Sequence, residues 1–197
     1  MGLLDKKICD VCGGDAGLMT KKRPDKSIIC SKCWDRLPTM GAREYAWKAM
    51  TAEDYKRDFI PYFERAAELK KIFHSTCNYG DLYIDEEHRL FCIEPSGKNL
   101  VKKNNGRPME KTEIFEFENT SYAEFILDKV KVDGSSAEGN ILLDMIYDDP
   151  VMNGTYYIYI SAGLSVEVKG FLGKKIEYEF PKKFLPVNSV FHNLMKK

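Results

Sequence analysis

The spacing of apolar side chains changes near residue 80 of this 197-residue chain. Between residues 52 and 73 apolar or small side chains recur every three or four positions, whereas from Gly80 onward apolar and polar residues alternate. The first spacing predicts a helix, and the second predicts strands with one buried face. Four cysteines set the beginning of the chain apart from both. We therefore predict an N-terminal module over residues 1–38, a helical connector over 39–76 and an antiparallel β domain over 77–197.

The connector should contain one well-marked helix, and residues 40–50 favour a second, shorter one. The run TAED, beginning at Thr51, combines a capping threonine with acids in the first turn. The seam that follows has heptad spacing and consists of Ala52, Tyr55, Phe59, Tyr62, Ala66, Leu69 and Phe73. Pro61 should kink or split the helix near Ile60, because proline lacks the backbone N–H and clashes with the preceding turn.

Three interpretations of this seam are open. The helix could lie on its own chain, pair with a second copy to form a homo-oligomer through residues 52–73, or act as a rigid spacer between two modules. Tyrosine and alanine make a weak zipper. Packing against the chain's own β domain is therefore the favoured interpretation.

The remainder of the chain predicts seven or eight short strands separated by turn signals such as VDGSSAEGN and SAG. The runs IFEFE and IEYEF place apolar residues on one face and acids on the other. We predict strands over 82–84, 90–93, 113–118, 122–132, 140–147, 155–161, 164–170 and 174–180. The final run NSVFHNLMKK predicts a short helix. The fold class is therefore α+β, with an antiparallel β sandwich or a partly closed barrel.

Composition and charge narrow the class of protein. Hydrophobic residues make up 44% of the chain and charged residues 30%, and thirty basic side chains balance thirty acidic ones. These values are typical of a globular protein. Because the net charge is zero, the chain as a whole has no electrostatic attraction to a polyanion or a membrane surface. No stretch approaches the roughly 18–20 continuous apolar residues of a membrane span. We expect a cytoplasmic protein. In that reducing compartment, paired thiols are more often metal ligands or redox groups than disulfides.

Four of the six cysteines form two Cys-x-x-Cys pairs, Cys9 with Cys12 and Cys30 with Cys33. Zn²⁺ favours four tetrahedral thiolates, and a two-residue spacer lets one tight turn present two sulfurs to the ion. Gly13 suits the positive φ that such a turn often needs just after the second cysteine. Between the pairs, the residues around KRPDK predict a hairpin, and WDRL predicts a helical turn. This order is that of a zinc ribbon or treble clef.

Energetics favour a metal at these cysteines. Some forty residues bury too little apolar surface to fold alone, whereas a structural zinc site supplies about 10–16 kcal/mol of apparent binding energy. We therefore predict structural Zn²⁺ ahead of a redox dithiol or disulfides. Four thiolates leave no open position for water, so a catalytic zinc is not expected.

Four stretches carry a family resemblance: MGLLDKKICDVCGGDAGL, IICSKCWDRL, TAEDYKRDFIPYFERAAELKKIF and GDLYIDEEHRLFCI. They resemble an uncharacterised family of small bacterial proteins whose N-terminal domain is a four-cysteine zinc-binding domain of unknown function. The resemblance is good over the first 37 residues and moderate over 51–93. Beyond Ile93 only the spacing of strands and turns is similar. It implies zinc at the four cysteines and an attached β domain similar to pleckstrin-homology folds. VNSVFHNLMKK is short for the C-terminal helix of such a barrel.

Two basic segments are candidate anion-binding sites. The first lies on the predicted zinc hairpin and consists of Lys21, Lys22, Arg23 and Lys26. The second lies within PSGKNLVKKNNGRPMEK and consists of Lys98, Lys102, Lys103 and Arg107. Nucleic acid is the candidate ligand of the first, and an anionic lipid headgroup is the candidate ligand of the second. A solvated charged surface is the simpler explanation of both.

The sequence shows no phosphate-binding loop, nucleophile elbow or paired-carboxylate motif. The three histidines lie in unrelated contexts, and Cys77 and Cys92 are expected to be packing residues. We therefore expect a non-enzymatic, zinc-binding adaptor whose partner is another protein. Nucleic-acid binding and headgroup binding are the alternatives.

Overall fold

The computed structural model describes residues 7–17, 21–37, 49–94, 113–133, 136–151, 154–169 and 177–196. In the N-terminal part, strands β1 (Lys21–Lys22) and β2 (Ile28–Ile29) pair antiparallel, and helix α1 (Ser31–Asp35) follows directly. The predicted hairpin and helical turn are confirmed. Apart from Ala49 and Met50, the helix predicted over residues 40–50 lies outside the described residues.

One long helix, α2, covers residues 52–72 and changes character along its length. Residues Tyr55–Phe59 form π-helical turns, and Ile60–Ile72 are regular α-helix with Pro61 in the first turn. A proline inside a helix removes one hydrogen bond and clashes with the carbonyl four residues earlier. A π turn is wider and accommodates both effects. The predicted interruption near Pro61 therefore takes the form of a π segment.

The seam of α2 packs along its own chain, but only its second half packs on the β domain, as the favoured interpretation expected. Its first three residues lie in the core of the N-terminal module, Tyr62 packs against the main core, and Leu69 and Phe73 pack against Leu90, Cys92 and Ile114. Arg65 adds an ion pair with the buried carboxylate of Asp149. Self-association through residues 52–73 stays a prediction, although six of the seven seam side chains already pack within the chain.

Two antiparallel sheets form the β-rich part. Four strands pair in the order β3 (Cys77–Tyr79), β4 (Leu82–Asp85), β5 (Leu90–Ile93) and β6 (Glu113–Glu116). Three longer strands pair in the order β7 (Thr120–Asp133), β8 (Ser136–Tyr147) and β9 (Gly154–Ser165). A short ribbon adds β10 (Glu167–Lys169) and β11 (Glu177–Glu179). Each of the eight predicted strands has a counterpart, and β3 was missed. The predicted SAG turn is wrong, because residues 161–163 lie inside β9 and the break before β10 falls at Val166. Residue 170 and residues 174–176 of the last two predicted strands lie outside the described residues.

Both sheets and the C-terminal helix α3 (Leu185–Met195) share one core. Phe191 of α3 lies 5.2 Å from Phe91 of β5 and 4.9 Å from Phe125 of β7, measured between ring centroids. The predicted terminal helix is therefore confirmed as part of the core. Among the described residues the sheets do not close into a barrel. A sandwich or pleckstrin-like topology stays a prediction.

The turn between β3 and β4 contacts the other sheet. The Asp81 N–H donates to the Ile160 carbonyl of β9 over 2.8 Å. Gly80 has a φ of +55°, and a Cβ at this position would lie 2.3 Å from the same carbonyl oxygen. Only glycine permits this close approach without strain. The turn therefore ties the two sheets together through backbone.

None of the described helices is both long and apolar enough to span a membrane. The predicted cytoplasmic location stays a prediction.

Candidate metal centre

The first pair of cysteines lies on a tight turn. Ile8 and Asp15 form a β bridge, the Cys9 N–H donates to the Gly14 carbonyl over 2.8 Å, and the Gly13 N–H donates back to the Cys9 carbonyl over 2.9 Å. Gly13 has a φ of +70°, as the sequence predicted. These bonds close the turn and place both sulfurs on the same side of it.

The second pair lies at the start of helix α1. Cys30 is the N-cap residue, and its sulfur accepts the Cys33 N–H over 3.5 Å. The Cys30 N–H in turn donates to the sulfur of Cys9 over 3.3 Å. Backbone N–H groups thus point at the sulfurs from both halves of the site. Such donors stabilise the thiolate form that binds a metal.

The four sulfurs of Cys9, Cys12, Cys30 and Cys33 all lie within 4.8 Å of one another. The Cys9 and Cys33 sulfurs are 4.0 Å apart, and those of Cys12 and Cys30 are 3.8 Å apart. A tetrahedron with metal–sulfur bonds of about 2.3 Å has edges of about 3.8 Å. The arrangement therefore fits a single tetrahedral ion. All four thiols are free, and their separations are nearly twice a disulfide bond of about 2.05 Å.

The electrostatics of the site differ between its two halves. Burial raises the pKa of Cys9, but backbone N–H groups, that of Cys12 first, outweigh this effect and bring the pKa to about 7. Burial is the main cause that raises the pKa of Cys30 and of Cys33, and neighbouring cysteines add to it at both. Four thiolates at this distance repel one another, so a divalent cation is needed to hold all four in the ionised form.

The site is closed on most sides. Cys9, Cys30 and Cys33 are buried and Cys12 is exposed. Four sulfurs complete the tetrahedral coordination of a zinc-like ion and leave no position for water or substrate. The chemistry that this geometry supports is structural binding of a soft divalent metal.

The module that carries the cysteines contacts helix α2 through hydrogen bonds and a cation–π contact, of which one hydrogen bond is fully buried. The Tyr55 hydroxyl donates to the Cys33 carbonyl over 2.8 Å, and the Ala52 N–H donates to the Ser27 hydroxyl over 3.1 Å. The Arg36 guanidinium lies 4.6 Å from the centre of the Phe63 ring. Sequence reasoning placed Tyr55 on the helix seam but did not connect it to a cysteine. No local signal identifies that partner, which lies 22 residues away in the chain.

The basic residues of the hairpin do not form one exposed group. Arg23 is only 6% exposed, and its guanidinium stacks 4.1 Å from the centre of the Trp34 ring, whereas Lys26 is exposed. Lys21 and Lys22 form strand β1, and the placement of their side chains is not described. The second predicted group, Lys98, Lys102, Lys103 and Arg107, lies outside the described residues. Anion binding by either group stays a prediction.

Two histidines that appeared unrelated in sequence meet around a buried carboxylate. Asp85, which is fully buried, accepts the backbone N–H of His74 over 2.7 Å and that of His88 over 3.1 Å. The Nδ1 of His88 lies 2.9 Å from the same carboxylate. The group holds the β4–β5 turn and the end of α2 in place, which is a structural role. Cys92 is buried and Cys77 half-buried, as expected of packing residues.

Comparison of the chain with protein-family models, with curated proteins and with solved structures gives no match. The resemblance to the family of four-cysteine proteins therefore stays a prediction, and the functional argument depends on the geometry of the site.

Proposed function

We propose that the four cysteines bind one structural Zn²⁺ ion and that this chain is a non-enzymatic adaptor that binds another protein. The observation that carries the proposal is the set of four free thiols within 4.8 Å of one another. An all-sulfur tetrahedral site is typical of zinc, because soft thiolates favour Zn²⁺ over Mg²⁺ or Ca²⁺. A site filled by four sulfurs supports binding in preference to catalysis.

The size of the N-terminal module supports a structural role for the metal. Its buried cluster contains few large apolar side chains of its own, and it is completed by Tyr55 and Phe59 from helix α2. A module of this size does not reach a stable core by apolar burial alone. Metal binding would supply about 10–16 kcal/mol, more than the stability of a typical small domain. The metal is therefore the element that makes this segment a rigid platform.

The adaptor role is supported by the continuity of the packing. The cysteine module packs on the first half of α2, and the second half of α2 packs on the four-stranded sheet. Metal binding therefore orders one end of a single connected unit with surfaces at both ends. Nucleic-acid binding by the hairpin and headgroup binding by residues 98–111 stay predictions, because none of the described contacts favours either.

The metal can be tested with the full chain purified without chelators. Native mass spectrometry and elemental analysis should show one zinc per chain, and Cys9→Ser or Cys33→Ser should lose it and make residues 7–37 sensitive to trypsin. Cys77→Ser, which removes a half-buried thiol outside the site, is the matched control and should keep the ion. A metal-free wild-type protein, or a Cys33→Ser variant as protease-resistant as wild type, would contradict the proposal.

A further inference from the structure

The outer face of the three-stranded sheet carries an unusual set of exposed side chains. Strands β7, β8 and β9 bury one face in the main core and turn the other to solvent. The register aligns nine outward positions in three rows: Tyr122, Ile146 and Thr155; Glu124, Asp144 and Tyr157; Ile126, Leu142 and Tyr159. Tyr122, Ile126, Ile146 and Tyr159 are 38–40% exposed, and Tyr157 is 65% exposed. Exposed aromatic and aliphatic side chains therefore flank the middle row of this face on both sides, which makes it a candidate interaction surface.

The centre of this face is acidic. Glu124 and Asp144 are direct cross-strand neighbours, and like charges in that position repel each other. Glu124 accepts a hydrogen bond of 2.6 Å from the Tyr122 hydroxyl, and this bond is the first cause that raises the pKa of Tyr122 to about 12. Among the described residues no cation pairs with either acid. The ion pair described on this face joins Lys129 to Asp128, one row farther along.

The dimensions of the face indicate the size of its partner. Three strands about 4.8 Å apart and five residues along each strand give a patch of roughly 300 Å² once side chains are included. A stable interface between globular proteins buries about 800 Å² on each side. The patch is therefore too small for a globular partner and matches an extended segment of about five residues.

We propose that this sheet face binds a short segment of a partner protein that presents an arginine between apolar side chains. The guanidinium would bridge the facing carboxylates of Glu124 and Asp144 and stack on the exposed ring of Tyr157. Ile126, Leu142 and Ile146 would cover the flanking apolar residues and exclude water from the charge pair. This inference deepens the proposed adaptor function, on which it rests, by assigning a surface and a ligand chemistry to it.

Charge complementarity selects this occupant over others. Two acids with no paired cation repel nucleic acid and anionic lipid, and a second copy of the same face would bring four acids together. Arginine suits the site better than lysine, because its planar group bonds two carboxylates and stacks on tyrosine at the same time.

The test uses the full zinc-loaded chain, labelled with ¹⁵N, and two synthetic pentapeptides. One is acetyl-Val-Leu-Arg-Leu-Val-amide, and the other replaces arginine by its neutral analogue citrulline. The arginine peptide should cause saturable amide shifts within residues 122–126, 142–146 and 155–159, with a dissociation constant on the order of 1 mM or tighter. The citrulline peptide should bind at least about tenfold more weakly, since it lacks the charge.

Variants locate the site. The double variant Glu124→Gln/Asp144→Asn should raise the dissociation constant of the arginine peptide by about tenfold or more, which corresponds to about 1.4 kcal/mol. Glu64→Gln/Glu87→Gln, the same charge change at exposed positions of α2 and the β4–β5 turn, should leave binding unchanged. Shifts outside the face, equal binding of the citrulline peptide, or equal loss in both double variants would overturn the inference. Concentration-dependent broadening of the same amides without peptide would assign the face to self-association and also overturn it.

Zinc content measured on the same sample separates this inference from the proposed function. One zinc per chain without peptide binding refutes the sheet-face site alone. Localised peptide binding by a protein that holds no zinc refutes the metal and leaves the sheet-face site standing.

Discussion

The bond between Tyr55 and Cys33 offers a direct test of how the cysteine module is attached. Tyr55 is 1% exposed, and its hydroxyl donates to the Cys33 carbonyl over 2.8 Å. Tyr55→Phe removes only this hydroxyl and keeps the ring in place, so the change creates almost no cavity. Losing one partner of a buried hydrogen bond costs about 1–3 kcal/mol.

The structure places the cost near the lower end of that range. The Cys33 carbonyl also accepts the Arg36 N–H over 3.3 Å, so the substitution does not leave it without a donor. We expect the free energy of unfolding to fall by about 1 kcal/mol. Because the bond ends on a residue of the metal site, the zinc affinity should fall by roughly fivefold if metal binding and docking are coupled.

Guanidinium unfolding followed by circular dichroism measures the first quantity, and competition with a calibrated zinc chelator measures the second. Tyr157→Phe is the matched control, because it makes the same chemical change at a side chain that is 65% exposed. The control should change stability by less than about 0.5 kcal/mol. If Tyr55→Phe behaves like Tyr157→Phe in both assays, the hydroxyl bond does not hold the module on the helix.

Three further substitutions test other parts of the fold. Gly80→Ala should lower the free energy of unfolding by about 3 kcal/mol, because it combines positive-φ strain with overlap at the Ile160 carbonyl. Gly17 has a φ of +69° but open space around it, so Gly17→Ala should cost only about 1 kcal/mol. Equal losses of stability in thermal unfolding would refute the close approach. Burial raises the pKa of Asp85, but the His74 and His88 N–H groups and the His88 ring hold it below its ordinary value of about 3.9. A carboxylate with a lowered pKa contributes stability above pH 4 that is lost as pH falls through its folded-state pKa. Asp85→Asn should therefore lower the free energy of unfolding at pH 7 by about 1–3 kcal/mol and reduce the loss of stability on acidification. An unchanged dependence of stability on pH below 4 would contradict this assignment. Asp144→Asn should raise stability by about 0.5 kcal/mol, since it relieves repulsion with Glu124, while Glu87→Gln should have no effect; a loss of stability would show that the acid has a favourable partner.

Local features of this protein could be predicted because their causes lie within a few residues. The Cys-x-x-Cys turns, the positive φ of Gly13, the cap at Thr51 and the strand periodicity are each set by neighbouring side chains. Strand β3 was missed, because its three residues are too few for alternation to stand out from chance. Its assignment depends on pairing with β4.

The sequence by itself determined most of the helices and strands and which four thiols come in pairs, because backbone propensity and side-chain period act over one or two turns of chain. Only the tertiary structure brought the two thiol pairs to tetrahedral distances, placed Tyr55 against Cys33, gathered two histidines around Asp85, and set Glu124 opposite Asp144. Most of these contacts join residues from different elements, and for those outside the cysteine pairs the sequence offers no motif that predicts the contact. They form when burial of the shared core fixes strand register and helix position, and register then decides which charges and thiols meet.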